Sequence, residues 1–206
     1  MTQNTSSAVM QQRREPSDSF DYFPTPLWAT RALCEWLKNG NHIDINDVIL
    51  EPACGEGHMA RALFEYFPRV DAYDIQAMGF SDEADYLWPG DDFEADWTIT
   101  NPPFRLAQQF IEKALFSSSK GVCMLVRSSF LEGVNRHKDL YSKCPPSHIL
   151  QYAERVPMLK GRVDKKASTA TSYSWIIWVK PLDALPVVFD WIPPCRKRLE
   201  KEGDYE

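Results

Sequence analysis

Residues 121–127, GVCMLVR, constrain the fold of this chain more than any other stretch. The run has no polar–apolar alternation, so as a strand it must be buried on both faces. Such a strand belongs inside a parallel or mixed sheet with helices packed on each side. The neighbouring sequence supplies those helices. Residues 26–39, 58–67 and 105–118 carry helical apolar spacing, and shorter apolar runs at 48–50, 70–75 and 96–100 read as strands. Thr25 is placed to cap the first helix, Pro26 occupies its first turn and Gly40 ends it. Two further strands, 148–156 and 172–180, have no helix between them. They predict a hairpin around a long loop, 157–171, that makes one edge of the sheet antiparallel. The expected class is therefore α/β, mostly parallel, with helices on both faces.

A chain of 206 residues fits one domain. Residues 1–19 are polar and are expected to be mobile; 20–180 form the domain; 181–206 read as an irregular tail. No apolar run approaches the roughly 18 residues of a membrane span, and the N-terminus has no apolar segment of a secretory signal. Five scattered cysteines without a C-x-x-C pair, and four histidines without ligand spacing, predict a reduced, cytoplasmic protein with neither disulfides nor a metal. Neither H-E-x-x-H nor G-x-S-x-G is present, which weakens hydrolase readings. The net charge of −6 is not that of a bulk nucleic-acid binder, but it is unevenly spread. Residues 71–96 hold nine acidic side chains and no Lys or Arg, whereas 151–180 hold six basic side chains and two acidic ones. Two solvated faces of opposite sign would give the same pattern.

In a sheet of this class, ligands bind beyond the carboxyl ends of the strands. Three of the expected strands end in unusual residues. The first runs into EPACGEG, where Gly55 and Gly57 permit positive φ before a helix N-terminus. Glu51 there is poor for phosphate and good for a cation, which favours a nucleoside-like ligand carrying an ammonium over a dinucleotide. A structural G-x-G turn remains open on this motif alone. Asp74 ends the next strand, where an acid accepts ribose hydroxyls or merely caps a turn. Asp92 and Phe93 are placed to bracket a purine, with Asp91 an equally available acid. The last strand ends in TITNPPF. Pro102 and Pro103 remove backbone donors and leave carbonyls, Asn101 offers an amide oxygen, and Phe104 offers a flat apolar face. That combination suits a planar group bearing an NH2.

Taken together, these motifs resemble those of the S-adenosylmethionine-dependent N6-adenine DNA methyltransferases, including their small phage and prophage forms. FPTP (23–26) resembles the family's N-terminal cofactor motif, EPACGEG its glycine motif, and NPPF its catalytic D/N/S-P-P-Y/F signature. RSSFLEG (127–133), RVPMLKGR and SYSWIIWVK resemble segments of the phage-type members, so the likeness runs from residue 20 to about 180. The resemblance implies a seven-stranded class I methyltransferase sheet and S-adenosylmethionine as cofactor. It places Phe23, Thr25 and Pro26 at the methionine end, and Glu51 with Pro52, Gly55 and Gly57 at the ammonium. Asp74 and Ile75 fall at the ribose, and Asp92 and Phe93 at the adenine. Asn101, Pro102, Pro103 and Phe104 form the catalytic rim, with Asn101 also against the cofactor.

A target adenine must be extruded from a duplex or already single-stranded. Arg127, Arg136, Lys138, Arg155, Lys160, Arg162, Lys165 and Lys166 are the expected phosphate contacts. The chain has no room for a large recognition region. Only 131–147 and 157–171 remain for reading bases, which predicts loose or very short sequence preference, a homodimer, or a separate specificity subunit. DNA is the expected substrate. RNA adenine and a protein glutamine amide share the same site chemistry, and a non-catalytic nucleic-acid-binding decoy is the alternative of a different class.

Overall fold

The computed structural model describes residues 21–90, 93–182 and 186–205. The expected mobile stretch 1–19 lies outside them, as do Asp91 and Asp92. Strand β1 is Ile49–Glu51, β2 Val70–Asp74, β3 Asp82–Glu83, β4 Ala95–Thr100 and β5 Ser118–Arg127. Strands β6 (His148–Tyr152), β7 (Tyr173–Val179) and β8 (Val188–Ile192) complete one eight-stranded sheet in the order β3-β2-β1-β4-β5-β7-β6-β8. Pairing is parallel from β3 through β5, antiparallel on both sides of β7, and parallel again between β6 and β8. The antiparallel hairpin is present, with β8 added outside it, and the strand number is eight where seven were implied.

Helix α1 (Leu27–Asn39) and α2 (His58–Phe64) cover one face of the sheet, and α3 (Ala107–Ser117) covers the other. The apolar run in β5 explains this sandwich. Cys123 and Leu125 point into the core shared with α1 and α2; Val122, Met124 and Val126 point into the core shared with α3. All five are 1 % exposed or less, as a strand inside a helix-covered sheet requires. Trp28, Trp97, Trp175 and Trp178 are fully buried. Each contributes roughly 4–6 kcal/mol of transfer free energy at ordinary burial coefficients. Three of their indole N–H groups are paired: Trp97 donates to Asp47, Trp175 to the Tyr152 hydroxyl and Trp178 to the Cys144 carbonyl.

Two expectations about chain ends change. Pro26, not Thr25, takes the cap position of α1, and the Thr25 hydroxyl makes no capping bond. It turns inward instead, to contacts described below. The stretch 181–206, expected to be irregular, provides β8 and the short helix α4 (Arg196–Leu199). Beyond α4, Asp204 is 6 % exposed and accepts two bonds, of 2.6 and 2.7 Å, from the buried Arg31 guanidinium. Arg31 also bonds Glu65 and the Leu199 carbonyl. A buried guanidinium needs such a full set of partners, and the tail supplies three of the five bonds. Prolines flanking β8 and the dense charge of the tail conceal this in the sequence.

Candidate functional site

The sheet order reverses between β1 and β4: from β1 the chain moves outward to β2 and β3, then returns to β4 on the other side. A crevice opens where neighbouring strands send their connections in opposite directions. The residues beyond β1 are EPACGEG and those beyond β4 are NPPF, so the two motifs face each other across that crevice. An open cleft of about 270 Å³ lies there, and Thr25, Cys54, Asp74, Asn101 and Phe104 are in its wall.

Asn101 is held by its amide nitrogen. Nδ2 donates to the Phe23 carbonyl at 2.8 Å and to Thr25 Oγ1 at 3.2 Å, with Met158 Sδ at 3.7 Å. The Thr25 hydroxyl in turn donates to the same sulfur. A carbonyl can only accept, so the NH2 end of the amide must face Phe23. Oδ1 is thereby fixed on the other side, where it is buried and has no hydrogen-bond partner. Pro102 is buried, and the Pro103 carbonyl accepts the Leu106 N–H at 2.9 Å, which closes the turn into α3. The rim is thus rigid and carries one acceptor in need of a donor.

Across the crevice, Gly55 and Gly57 have φ of +52° and +81°. Both positions exclude a side chain for a second reason. A Cβ at Gly55 would lie 2.3 Å from the Tyr22 ring, and one at Gly57 would lie 2.3 Å from the Phe80 ring. The room these glycines make is taken up by the protein's own aromatics. Glu51 and Pro52 are buried beneath the turn and do not line the cleft. The Glu51 carboxylate accepts the Ala60 N–H at the start of α2. Its Oε2 is buried without a partner. Burial, with the Asp74 charge adding to it, pushes Glu51 well above the usual carboxylate range. A cation arriving nearby would reverse that shift, so this orphaned carboxyl oxygen fits an ammonium-bearing ligand. Asp74 lines the cleft; its two oxygens accept the Gly55 N–H at 2.8 Å and the Gln76 N–H at 3.1 Å, each keeping a lone pair for a hydroxyl donor.

The remaining expected residues divide. Phe23, Thr25 and Ile75 line the cleft, whereas Pro26 caps α1 beside it. Phe93 faces a separate groove at the other end of β4, packed against Tyr73 and Tyr86 at 5.3 Å each. Arg127 lies over the Phe104 ring. Arg136 is spent internally: it stacks 3.8 Å over Phe130 and donates to the carbonyls of Phe130 and Glu132. Arg155 ties down the base of the 157–171 loop through Ala170 and Ser172. Lys138, Lys160, Arg162, Lys165 and Lys166 are exposed.

Sequence reasoning did not reach Tyr22, His58 or Met158. The Tyr22 hydroxyl bonds His58 Nδ1 at 3.3 Å and receives the Glu56 N–H, and its carbonyl accepts the Gly161 N–H. Burial raises the Tyr22 pKa and lowers that of His58, so the pair is neutral at pH 7. Tyr22 sits next to the FPTP match and Met158 lies within RVPMLKGR, local hints that mark neither residue's contact across the cleft. A second cavity, of about 170 Å³, shares the Phe104 wall and is bounded by Val126, Arg127, Ser129, Phe130 and Arg136. Among the described residues, no cluster of three His, Cys, Asp or Glu side chains is placed to hold a metal ion, and no helix is long and apolar enough to cross a membrane.

No protein-family model matches this sequence, and no curated protein sequence does. Solved structures do match. A candidate RNA methyltransferase from Pyrococcus horikoshii superposes with a TM-score of 0.58 at 17 % identity, over 84 % of this chain and 96 % of its own. A type I restriction-modification methyltransferase subunit from Streptococcus thermophilus gives 0.63 at 12 % identity, over 89 % of this chain but 49 % of its own, so the present chain spans about half of that subunit. A candidate class I S-adenosylmethionine-dependent methyltransferase from Listeria monocytogenes gives 0.60 at 16 % identity, over 88 % and 68 %. At these identities the likeness carries the fold, and that fold is the Rossmann-like α/β methyltransferase fold, with a mostly parallel sheet and an antiparallel side.

Proposed function

We propose that this chain is an S-adenosylmethionine-dependent methyltransferase acting on the exocyclic amine of adenine in DNA. The observation that carries the reading is the Asn101 amide: anchored through nitrogen to the Phe23 carbonyl, with Oδ1 buried and unpaired on a proline-stiffened rim. An exocyclic amine is a poor nucleophile because its lone pair is delocalised into the ring. Acceptance of its hydrogens by Asn101 Oδ1 and the Pro102 carbonyl would favour a pyramidal nitrogen and localise that pair. This is electrostatic preorganisation, and it needs no strong base before attack. Phe104 would stack on the extruded base. Glu51 would hold the cofactor's ammonium and Asp74 its ribose hydroxyls; Asp92 remains the proposed contact to its adenine. When bound, the cofactor supplies an electrophilic methyl on a sulfonium.

The DNA reading rests on the pairing of EPACGEG with NPPF, and the restriction-modification subunit of like fold is in keeping with it. RNA adenine is the second reading, favoured by the P. horikoshii protein, which is similar over nearly its whole length. The short helical turns within 131–147 and the loop 157–171 offer few side chains for base recognition, which supports loose specificity or a second subunit, a homodimer included. The test is reaction of the purified protein with methyl-labelled cofactor and single-stranded DNA, duplex DNA, RNA or protein, followed by nucleoside analysis. N6-methyldeoxyadenosine is the expected product. Label in RNA alone moves the substrate, and label in protein alone removes the nucleic-acid reading.

A further inference from the structure

Phe104 is not a bare stacking surface in this structure. The Arg127 guanidinium lies 4.1 Å over its ring centroid and 5.6 Å from that of Phe23. Phe23 and Tyr173 hem the same ring at 5.3 and 6.3 Å. The sheet register explains the meeting. Thr100 pairs with Met124, so the residues just beyond β4 and the last residue of β5 emerge side by side. A planar group at stacking distance occupies the space that a planar base would need. Among the described residues Arg127 forms no ion pair with a carboxylate, and the buried Tyr173 lies beside it.

We propose that Arg127 is a placeholder for the target base. It fills the base position on Phe104 in the free protein, is displaced by the entering base, and then pairs with the phosphate of the same nucleotide. The proposal rests on the nucleic-acid reading of the site given above. Displacement is easy because an exposed cation–π contact is weaker than base stacking on an aromatic ring. Room for the displaced group lies alongside, in the cavity bounded by Val126, Ser129 and Phe130. Once off the ring, a guanidinium with no carboxylate of its own is a ready partner for a phosphate, which it meets with a planar fork of donors.

The two halves of this role predict effects of opposite sign. The fluorescence of 2-aminopurine deoxyribonucleoside and of its 5′-monophosphate, quenched on stacking, reports their binding to the cofactor-loaded wild type and to Arg127→Ala and Arg127→Lys. Arg127→Ala should bind the phosphate-free nucleoside about two- to fivefold more tightly, the factor to which release of a contact of about 0.5–1 kcal/mol converts. It should bind the monophosphate at least about fivefold more weakly. Arg127→Lys should show the nucleoside gain and keep monophosphate binding within about threefold, because it retains charge without the planar stack. Unchanged or weaker nucleoside binding to Arg127→Ala overturns the placeholder, as does absence of purine binding to all three proteins. Methyl transfer by the wild type to adenine is scored separately. Opposed shifts without transfer sink the functional reading alone, and transfer without opposed shifts sinks the placeholder alone.

Discussion

Asn101→Ala should separate stability from activity. In the folded protein the side chain makes two ordinary hydrogen bonds through Nδ2, to the Phe23 carbonyl and the Thr25 hydroxyl. Losing them costs about 1 kcal/mol each. The same truncation removes a buried, unpaired Oδ1, whose desolvation penalty is about 1–3 kcal/mol. The two contributions oppose each other and leave a net change of about 1 kcal/mol or less. For a chain of this length that is a melting shift of under about 4 °C. The chemical step has no such offset. If Oδ1 accepts from the reacting amine, its loss should lower the rate by about 10²–10³, or about 2.7–4 kcal/mol of barrier, as for other preorganised single-bond stabilisers. Thermal melts, calorimetric cofactor affinity and single-turnover methyl transfer to an adenine oligonucleotide measure the three quantities. A rate loss smaller than tenfold, or an affinity loss as large as the rate loss, refutes the role given to Oδ1.

Glu51 should make cofactor binding depend on pH. Its pKa is raised in the free protein, so stability from the neutral carboxyl is lost as pH rises from the ordinary Glu range through the raised value, and ligand affinity for an ammonium grows over the same window. Glu51→Gln should flatten that affinity profile in calorimetry and, without ligand, melt above the wild type at the alkaline end; a profile unchanged by the substitution removes the ammonium role. Gly57→Ala should destabilise by roughly 2–5 kcal/mol, combining left-handed strain with the Phe80 overlap, whereas Gly79→Ala, with φ of +85° and no atom within 4 Å, should show the strain of about 1–2 kcal/mol alone. Equal denaturation midpoints for the two would show that the overlap relaxes freely. Asp204→Ala removes one carboxylate from buried Arg31 and should cost about 3 kcal/mol, near 6–12 °C in melting temperature. Burial alone would raise the Asp204 pKa, but the Arg31 bonds outweigh it and hold it low, so the difference from wild type should fade as pH falls through the acid range; a gap that persists there would locate the stabilisation elsewhere.

The one-dimensional pattern of the chain was enough to determine the sandwich. An apolar run without alternation at 121–127 demands cover on both faces, and amphipathic stretches on either side of it supply that cover. Strand ends were equally legible, because proline and glycine act locally: two prolines stop β4, and two glycines shape the turn after β1. The reversal of strand order then brings Asn101, Phe104, Asp74 and Phe23 to one cleft. What the sequence did not carry is which groups meet over long separations. Asn101 contacts Met158 across 57 residues, and Arg31 reaches Asp204 across 173. Phe93 reads as a cofactor residue by position, yet its ring packs into the Tyr73–Tyr86 cluster. Arg127 reads as a generic phosphate contact, yet its guanidinium lies on Phe104. Local periodicity specifies burial and chain direction, because these follow from a residue's own chemistry and its near neighbours. The partner of a long polar or aromatic side chain depends on sheet register and on the path of distant loops, which only the folded chain fixes.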